Sequence, residues 1–225
     1  VKGLADYVTQ VDTNIQNFLR EKLGELAPEV EFLGEEDGLH AMKGDTFWIL
    51  DPIDGTTNLV HDYQHSTVSL GLYSKGEIIL GVIYDPFREE MFYAEKGKGS
   101  FVNGRPIHVA EAENLGQTII AIGTAPYQKE LAPRNFACFQ RVFEKCEDIR
   151  RTGSAAMDLA YTAAGRIGGY FEARLQPWDF AAGMLILTEA GGKITRYDGS
   201  EVNPVEPGGI VATNGKLHEE LRALL

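Results

Sequence analysis

Residues 48–58 read WILDPIDGTTN. Trp48, Ile49 and Leu50 are strand formers, and they deliver Asp51, Pro52, Ile53 and Asp54 in succession. The ring of Pro52 fixes φ and removes an N–H, so the apolar run ends in a stiff turn that holds two carboxylates close together. Two such anions repel unless a proton or a cation lies between them. Gly55-Thr56-Thr57-Asn58 then reads as the first turn of a helix, where unpaired N–H groups attract anions. Acids for a hard cation beside amides for a phosphate make a coherent phosphate-ester site. Taken alone, the same residues also read as a surface turn followed by a capped helix.

Upstream, Val11, Ile15, Phe18, Leu19, Leu23 and Leu26 keep a 3.6-residue spacing that Pro28 ends. The spacing predicts a helix, opened by Thr9 and Asp12 in a variant of the capping box. VEFLGEE predicts a short strand running into a turn, and the acids of GEEDG (34–38) also suit a solvated turn. Downstream, FWIL, STVSLGLYS, EIILGVIYD and EMFYAEK alternate as strands, with SKGE and Asn103-Gly104 as hairpin turns.

After about residue 120 the texture changes. NFACFQRVFEKC, GSAAMDLAYTAAG and WDFAAGMLILTEAGG read as helices, the last closed by two glycines. GGYFEA and GGIVATN read as strands, with a final helix running to Leu225. The expected organisation is an N-terminal α+β part, 1–120, carrying an antiparallel sheet, and a C-terminal α/β part, 121–225, with a long shared interface.

The chain has 225 residues, long enough for a substantial core. It carries 33 Asp plus Glu against 21 Lys plus Arg, a net charge of −12. That excess argues against a nucleic-acid binder, and means that a substrate phosphate must be met by something locally positive, such as metal ions held by the acids. No window approaches the ~18–20 apolar residues of a membrane span, and the expected location is the cytoplasm. Cys138 and Cys146 fit neither a zinc knuckle nor a redox pair and read as reduced thiols. The histidines at 40, 61, 65, 108 and 218 share no ligand spacing. GKGS (97–100) lacks a full phosphate loop and reads as a β-turn. Arg150, Arg151 and Arg166 read as helix-end arginines, or one of them meets a second phosphate.

Asp179 in PWDFAAG (177–183) and Asp12 in DYVTQVD (6–12) singly read as helix caps. Together and in order, DYVTQVD, GEE, WILDPIDGTTN, GVIYDP, GSAAMDLAYTAAGR and PWDFAAGMLILTEAGG resemble the inositol monophosphatase family of magnesium-dependent, lithium-sensitive phosphatases. The resemblance covers nearly the whole chain. What is missing is the helix that usually precedes the first motif, so a truncated N-terminus is expected. Where the family commonly has a Lys-Ser-Ser-type loop this chain has VKGLA, with Lys2 as the basic residue.

The resemblance implies an α+β fold, a five-layer αβαβα sandwich. It implies two or three Mg²⁺ ions held by Glu35, Asp51, the carbonyl of Ile53, Asp54 and Asp179, with Glu36 orienting a ligand or water. Thr56 and Asp12 would position and deprotonate the attacking water. Asp54, Gly55, Thr56, Gly153, Ser154, Ala155, Glu172 and Asp179 would contact the substrate, with the amides of Gly55 and Thr56 on the phosphate. The implied reaction is hydrolysis of a small polyol or sugar phosphate, foremost myo-inositol 1-phosphate, by a homodimer. Related alternatives are fructose-1,6-bisphosphate and 3′-phosphoadenosine-5′-phosphate phosphatases. A reading of another class is a non-catalytic binding or regulatory protein that keeps the fold; the presence of every expected acid favours the enzyme.

Overall fold

The computed structural model describes residues 10–38, 42 and 44–225. The cap at Thr9, the loop with Lys2, and His40 lie outside the described residues. Helix α1 (Gln10–Leu26) leads into β1 (Glu31–Gly34) and a 3₁₀ turn, Glu35–Asp37. There follow β2 (Thr46–Asp54), α2 (Thr56–Val60), β3 (Thr67–Ser74), β4 (Glu77–Asp85), β5 (Glu90–Glu95), β6 (Ser100–Val102) and β7 (Arg105–Ile107). Among the described residues these seven strands form one sheet in chain order, with β1 parallel to β2 and the rest antiparallel. The SKGE turn carries Lys75 and Gly76 at φ 51 and 101, and Asn103-Gly104 sits at φ 47 and 79, the positive values that a tight hairpin turn requires.

The second sheet has the order β11-β12-β10-β8-β9. Its strands are β8 (Ile119–Ile122), β9 (Asp148–Arg150), β10 (Gly169–Leu175), β11 (Lys193–Thr195) and β12 (Gly208–Thr213). The helices of this half are α3 (Ala132–Phe143), α4 (Ala155–Ala163), α5 (Pro177–Glu189) and α6 (His218–Arg222).

Helix α5 packs along β2 to β6 of the first sheet and also touches β11, while its neighbour α4 packs on β10 and β12. The pair is therefore a helical layer between the two sheets. On the outside, α1 lies against β2, and α3 and α6 lie against β9 and β12. The expected sandwich of helix, sheet, helix, sheet, helix is what forms.

The small residues of PWDFAAG have a packing reason. Gly71 and Gly81 are register partners on β3 and β4. A Cβ on Gly81 would stand 2.6 Å from the Ala182 carbonyl oxygen, and one on Gly183 would stand 2.6 Å from the Leu159 side chain. Helix backbone thus lies almost directly on sheet backbone, and α4 on α5. Around this contact Phe92, Met157, Phe180 and Ile186 are fully buried. The strands of the first sheet, read from period-2 alternation, form where the sequence places them.

The apolar stripe of α1 is only partly covered: Val11, Phe18 and Leu26 are exposed and Ile15, Leu19 and Leu23 half-buried, whereas Asp12 and Gln16 are buried. Polar partners on the site segments decide which side of this helix docks. The final helix stops at Arg222, and Leu224 and Leu225 close as a turn against the α3 layer.

Candidate active site

The site begins where the pairing of β2 is interrupted. Its register with β3 shifts between Asp51 and Asp54, at the proline that cannot donate to a ladder. Asp51 accepts from the amide of Ile53 at 2.9 Å, closing the turn on itself. Asp54 reaches across to the second half of the chain. It accepts from the Ser154 hydroxyl and from the amide of Ala156, both at 2.6 Å. Ser154 in turn caps α4 by accepting from the amide of Met157 at 3.3 Å. The end of β2 and the start of α4 are joined through one carboxylate.

Gly55 takes φ 95, a left-handed value that only glycine adopts freely, and starts α2. A Cβ there would lie 3.1 Å from the Gly153 carbonyl, so the two glycine turns abut. Asn58 pins them by donating to the carbonyls of His65 at 2.7 Å and Thr152 at 2.9 Å. Thr56, the first residue of the helix, donates its hydroxyl toward Asp12 at 3.1 Å and toward the Ile53 carbonyl at 3.0 Å. Both Asp12 and Thr56 are buried.

Glu35 stands at the start of the 3₁₀ turn after β1, and the amide of Glu36 donates to Gln16 at 3.2 Å. Asp179 is the third residue of α5 rather than its cap, and accepts from the amide of Gln176 at 2.7 Å. Glu172 projects from β10 into a slot above Gly123, where a Cβ would lie 2.0 Å from its carboxylate. It is held by the Tyr170 hydroxyl at 2.6 Å and the Ala125 amide at 2.7 Å. Ala125 takes φ 47 to deliver that amide.

Glu35, Asp51, Asp54, Thr56, Glu172 and Asp179 all line one open cavity of about 890 Å³. Gly55, Gly153, Ser154, Ala155 and Ile53 line it as well, whereas Asp12 and Glu36 do not. Its outer part carries Arg151, Lys129 and Arg174. Of the three arginines singled out by sequence, only Arg151 belongs here, donating to the Thr124 hydroxyl at 3.2 and 3.1 Å. Arg150 pairs with Asp148, and Arg166 pairs with Glu90 and covers the rings of Phe92 and Tyr161.

The acids are electrostatically uncomfortable. Burial pushes Asp51 well above the usual carboxylate range, and Glu35, Asp54 and Asp179 push it further. Burial raises Asp179 likewise, with Asp54 next. Asp54 is raised to about 6 by burial, against the opposing pull of its bonds from Ser154 and Ala156. Among the described residues no three acid, histidine or cysteine side chains form a metal cage by themselves. The donor set is nonetheless all oxygen and mutually repelling, with Asp51 and Asp54 buried and Glu35 and Asp179 half-buried. That chemistry fits a hard divalent cation completed by carbonyl and water ligands.

Several residues escaped sequence reading. Asn58 stood in the quoted motif without a role. Tyr170 lies two positions before Glu172 on one strand, a spacing that places both on the same face. Asp158 is buried in the first turns of α4, accepts from the Thr152 hydroxyl at 2.8 Å, and is raised well above its ordinary value by burial. The remaining sequence readings stand as follows. The amides of Gly97 and Gly99 in the GKGS turn hold an anion from the chain itself, the Glu189 carboxylate, at 2.8 and 2.9 Å. Cys138 and Cys146 are free thiols.

A family model described as the inositol monophosphatase family matches residues 1–225. The chain is 40% identical over 223 residues to the Nus factor SuhB of Salmonella typhimurium, covering 99% of this chain and 83% of that protein. It is 38% identical over 226 residues to the inositol-1-monophosphatase of Rhizobium meliloti, covering 100% and 85%. The solved inositol monophosphatase of Anabaena superposes with a TM-score of 0.90 at 39% identity, over 96% of this chain and 86% of that one.

Proposed function

This chain belongs to the inositol monophosphatase family, and on that premise we propose that it is a Mg²⁺-dependent phosphatase of small polyol or sugar phosphomonoesters, foremost myo-inositol 1-phosphate. The observation that carries the reading is the buried Thr56–Asp12 hydrogen bond, set beside Asp51, Asp54 and Asp179 at the end of β2.

Glu35, Asp51, the Ile53 carbonyl, Asp54 and Asp179 would hold Mg²⁺, with Glu36 orienting a ligand. Bound there, the metal would offset the charge of the acids, activate water and draw charge off the phosphoryl oxygens. The chain's own residues supply positioning. Thr56 donates its single hydroxyl proton to Asp12, which turns an oxygen lone pair outward to accept a proton from water. Asp12 then takes the proton that Thr56 passes on. The amides of Gly55 and Thr56 hold the phosphate, and the glycine lets the backbone come close. Gly153, Ser154, Ala155 and Glu172 face the hydroxyls of the alcohol, with Glu172 kept in one rotamer by Tyr170 and Ala125.

Two observations support other readings. Arg151, Lys129 and Arg174 on the outer wall suit a second anionic group, as in fructose 1,6-bisphosphate or 3′-phosphoadenosine 5′-phosphate. The name Nus factor carried by one relative supports a protein that works by binding on the same fold. Among the described residues no helix is long and apolar enough to cross a membrane, in keeping with a cytoplasmic protein. The test is phosphate release from inositol 1-phosphate, both bisphosphates and glycerol 2-phosphate, with and without Mg²⁺. Metal-dependent release led by one substrate supports the phosphatase and names its class. No release from any of them favours the binding protein.

A further inference from the structure

Helix α1 meets the site through polar side chains spaced four residues apart, which places them on one face. Asp12 accepts from Thr56. Gln16, 4% exposed, accepts from the amide of Glu36 through its Oε1 at 3.2 Å. Arg20 pairs with the carboxylate of Asp37 and lies over the Phe32 ring at 4.9 Å. Leu19 and Leu23 of the apolar stripe lie beside these polar residues and are half-buried, while Val11 and Phe18, farther round the helix, are exposed.

Gln16 is gripped as well as bonded. A Cβ on Gly34 would stand 2.2 Å from Gln16 Oε1 and 2.6 Å from its Cδ. The amide occupies the room that the missing Gly34 side chain leaves, just before Glu35. Gln16 thus ties the turn that presents Glu35 to the helix that presents Asp12. It does so with a neutral acceptor, adding no negative charge beside Glu35, Glu36 and Asp37.

We infer that Gln16 is a positioning residue of the candidate metal site, holding the Glu35–Asp37 turn in register with the Asp12–Thr56 pair. The inference rests on the Mg²⁺ reading proposed above. Groups that orient metal ligands typically change metal affinity or activity by about 10–100-fold when removed.

The test is calorimetric titration of Mg²⁺ into the full chain without substrate, for the unsubstituted protein, Gln16→Met, Gly34→Ala, their combination, and Gln16→Glu. Gln16→Met keeps the volume and loses the acceptor. Gly34→Ala evicts the amide from its slot at a residue whose φ of −102 suits any side chain. Each should weaken Mg²⁺ binding about tenfold or more. The combination should be no worse than the weaker single variant, because both remove one contact. In turnover, the Mg²⁺ requirement should rise while kcat at saturating Mg²⁺ changes much less. Gln16→Glu keeps the acceptor and should bind Mg²⁺ at least as well as the unsubstituted protein.

Unchanged Mg²⁺ affinity in folded Gln16→Met and Gly34→Ala overturns the inference, as does a loss in Gln16→Glu equal to that in Gln16→Met. Should Gln16→Met fail to fold, Gly34→Ala decides alone. No Mg²⁺ binding by the unsubstituted protein overturns the metal reading itself and the inference with it.

Discussion

Thr56 and Asp12 stand 44 positions apart in the chain and 3.1 Å apart in the fold, hydroxyl to carboxylate, with both side chains buried. A helix on the outer layer and the turn at the end of β2 are brought into register by that one bond.

The bond predicts a graded response. Thr56→Val keeps the shape and removes the hydroxyl, and kcat should fall by about 10²–10⁴. Asp12→Asn should cost a similar factor, and Thr56→Ser should retain most activity. Circular dichroism spectra should stay unchanged across the three. A Thr56→Val enzyme at full kcat would remove Thr56 from the chemistry.

Asp179 predicts opposing effects on activity and stability. Asp179→Asn keeps an oxygen for the Gln176 amide but removes one of several mutually repelling charges at the site. Mg²⁺-dependent turnover should vanish. The metal-free protein should gain about 1 kcal/mol, seen as a melting temperature about 2–4 °C higher. Scanning calorimetry in chelator, beside a phosphate-release assay, reads both. Retained turnover would sink the site assignment.

The two-glycine contact under α5 predicts a packing failure. Gly81→Ala should destabilise by about 1–3 kcal/mol, because its Cβ would meet backbone that cannot step aside. Gly24→Ala is the contrasting control. It lies on the exposed side of α1 with nothing within 4 Å of the new methyl, and should stabilise by about 0.5–1 kcal/mol. Urea titrations of the pair should move in opposite directions.

His218 predicts an acid limb in stability. Its ring lies buried between the hydroxyls of Thr195 and Thr213 at 2.9 and 3.1 Å. Burial lowers its pKa to about 4 from the ordinary 6.5; Lys193 and Arg222 lower it too, while Glu219 raises it. The unfolded chain therefore binds this proton first as pH falls. Its contribution is complete above pH 6.5 and is lost between 6.5 and about 4, at most about 3 kcal/mol. His218→Gln should flatten that part of the pH–stability curve. A curve of unchanged slope would assign the acid limb to other groups.

Local patterns carried much of this protein. Alternation located the strands from Phe47 to Glu95, and Asn103-Gly104 located a turn, because both are written in neighbouring residues. Glu172 is different. Its hold depends on Tyr170 two residues away, but also on Ala125, which lies 47 positions back. Asn58 likewise reaches Thr152 across 94 positions.

By itself, then, the sequence determined the strands and the Asp-Pro-Ile-Asp-Gly turn, since strand period, proline and glycine act on their own backbone. The layers and the roles of the acids followed from the family resemblance. Only the tertiary structure decided which side of α1 faces inward. Periodicity marks the stripe of Val11, Ile15, Phe18, Leu19, Leu23 and Leu26, of which Val11, Phe18 and Leu26 stay exposed. The face that docked is the one whose Asp12, Gln16 and Arg20 find a hydroxyl, an amide and a carboxylate on other segments. Buried polar groups go where their partners are, and partners from distant segments are placed only when the chain has folded.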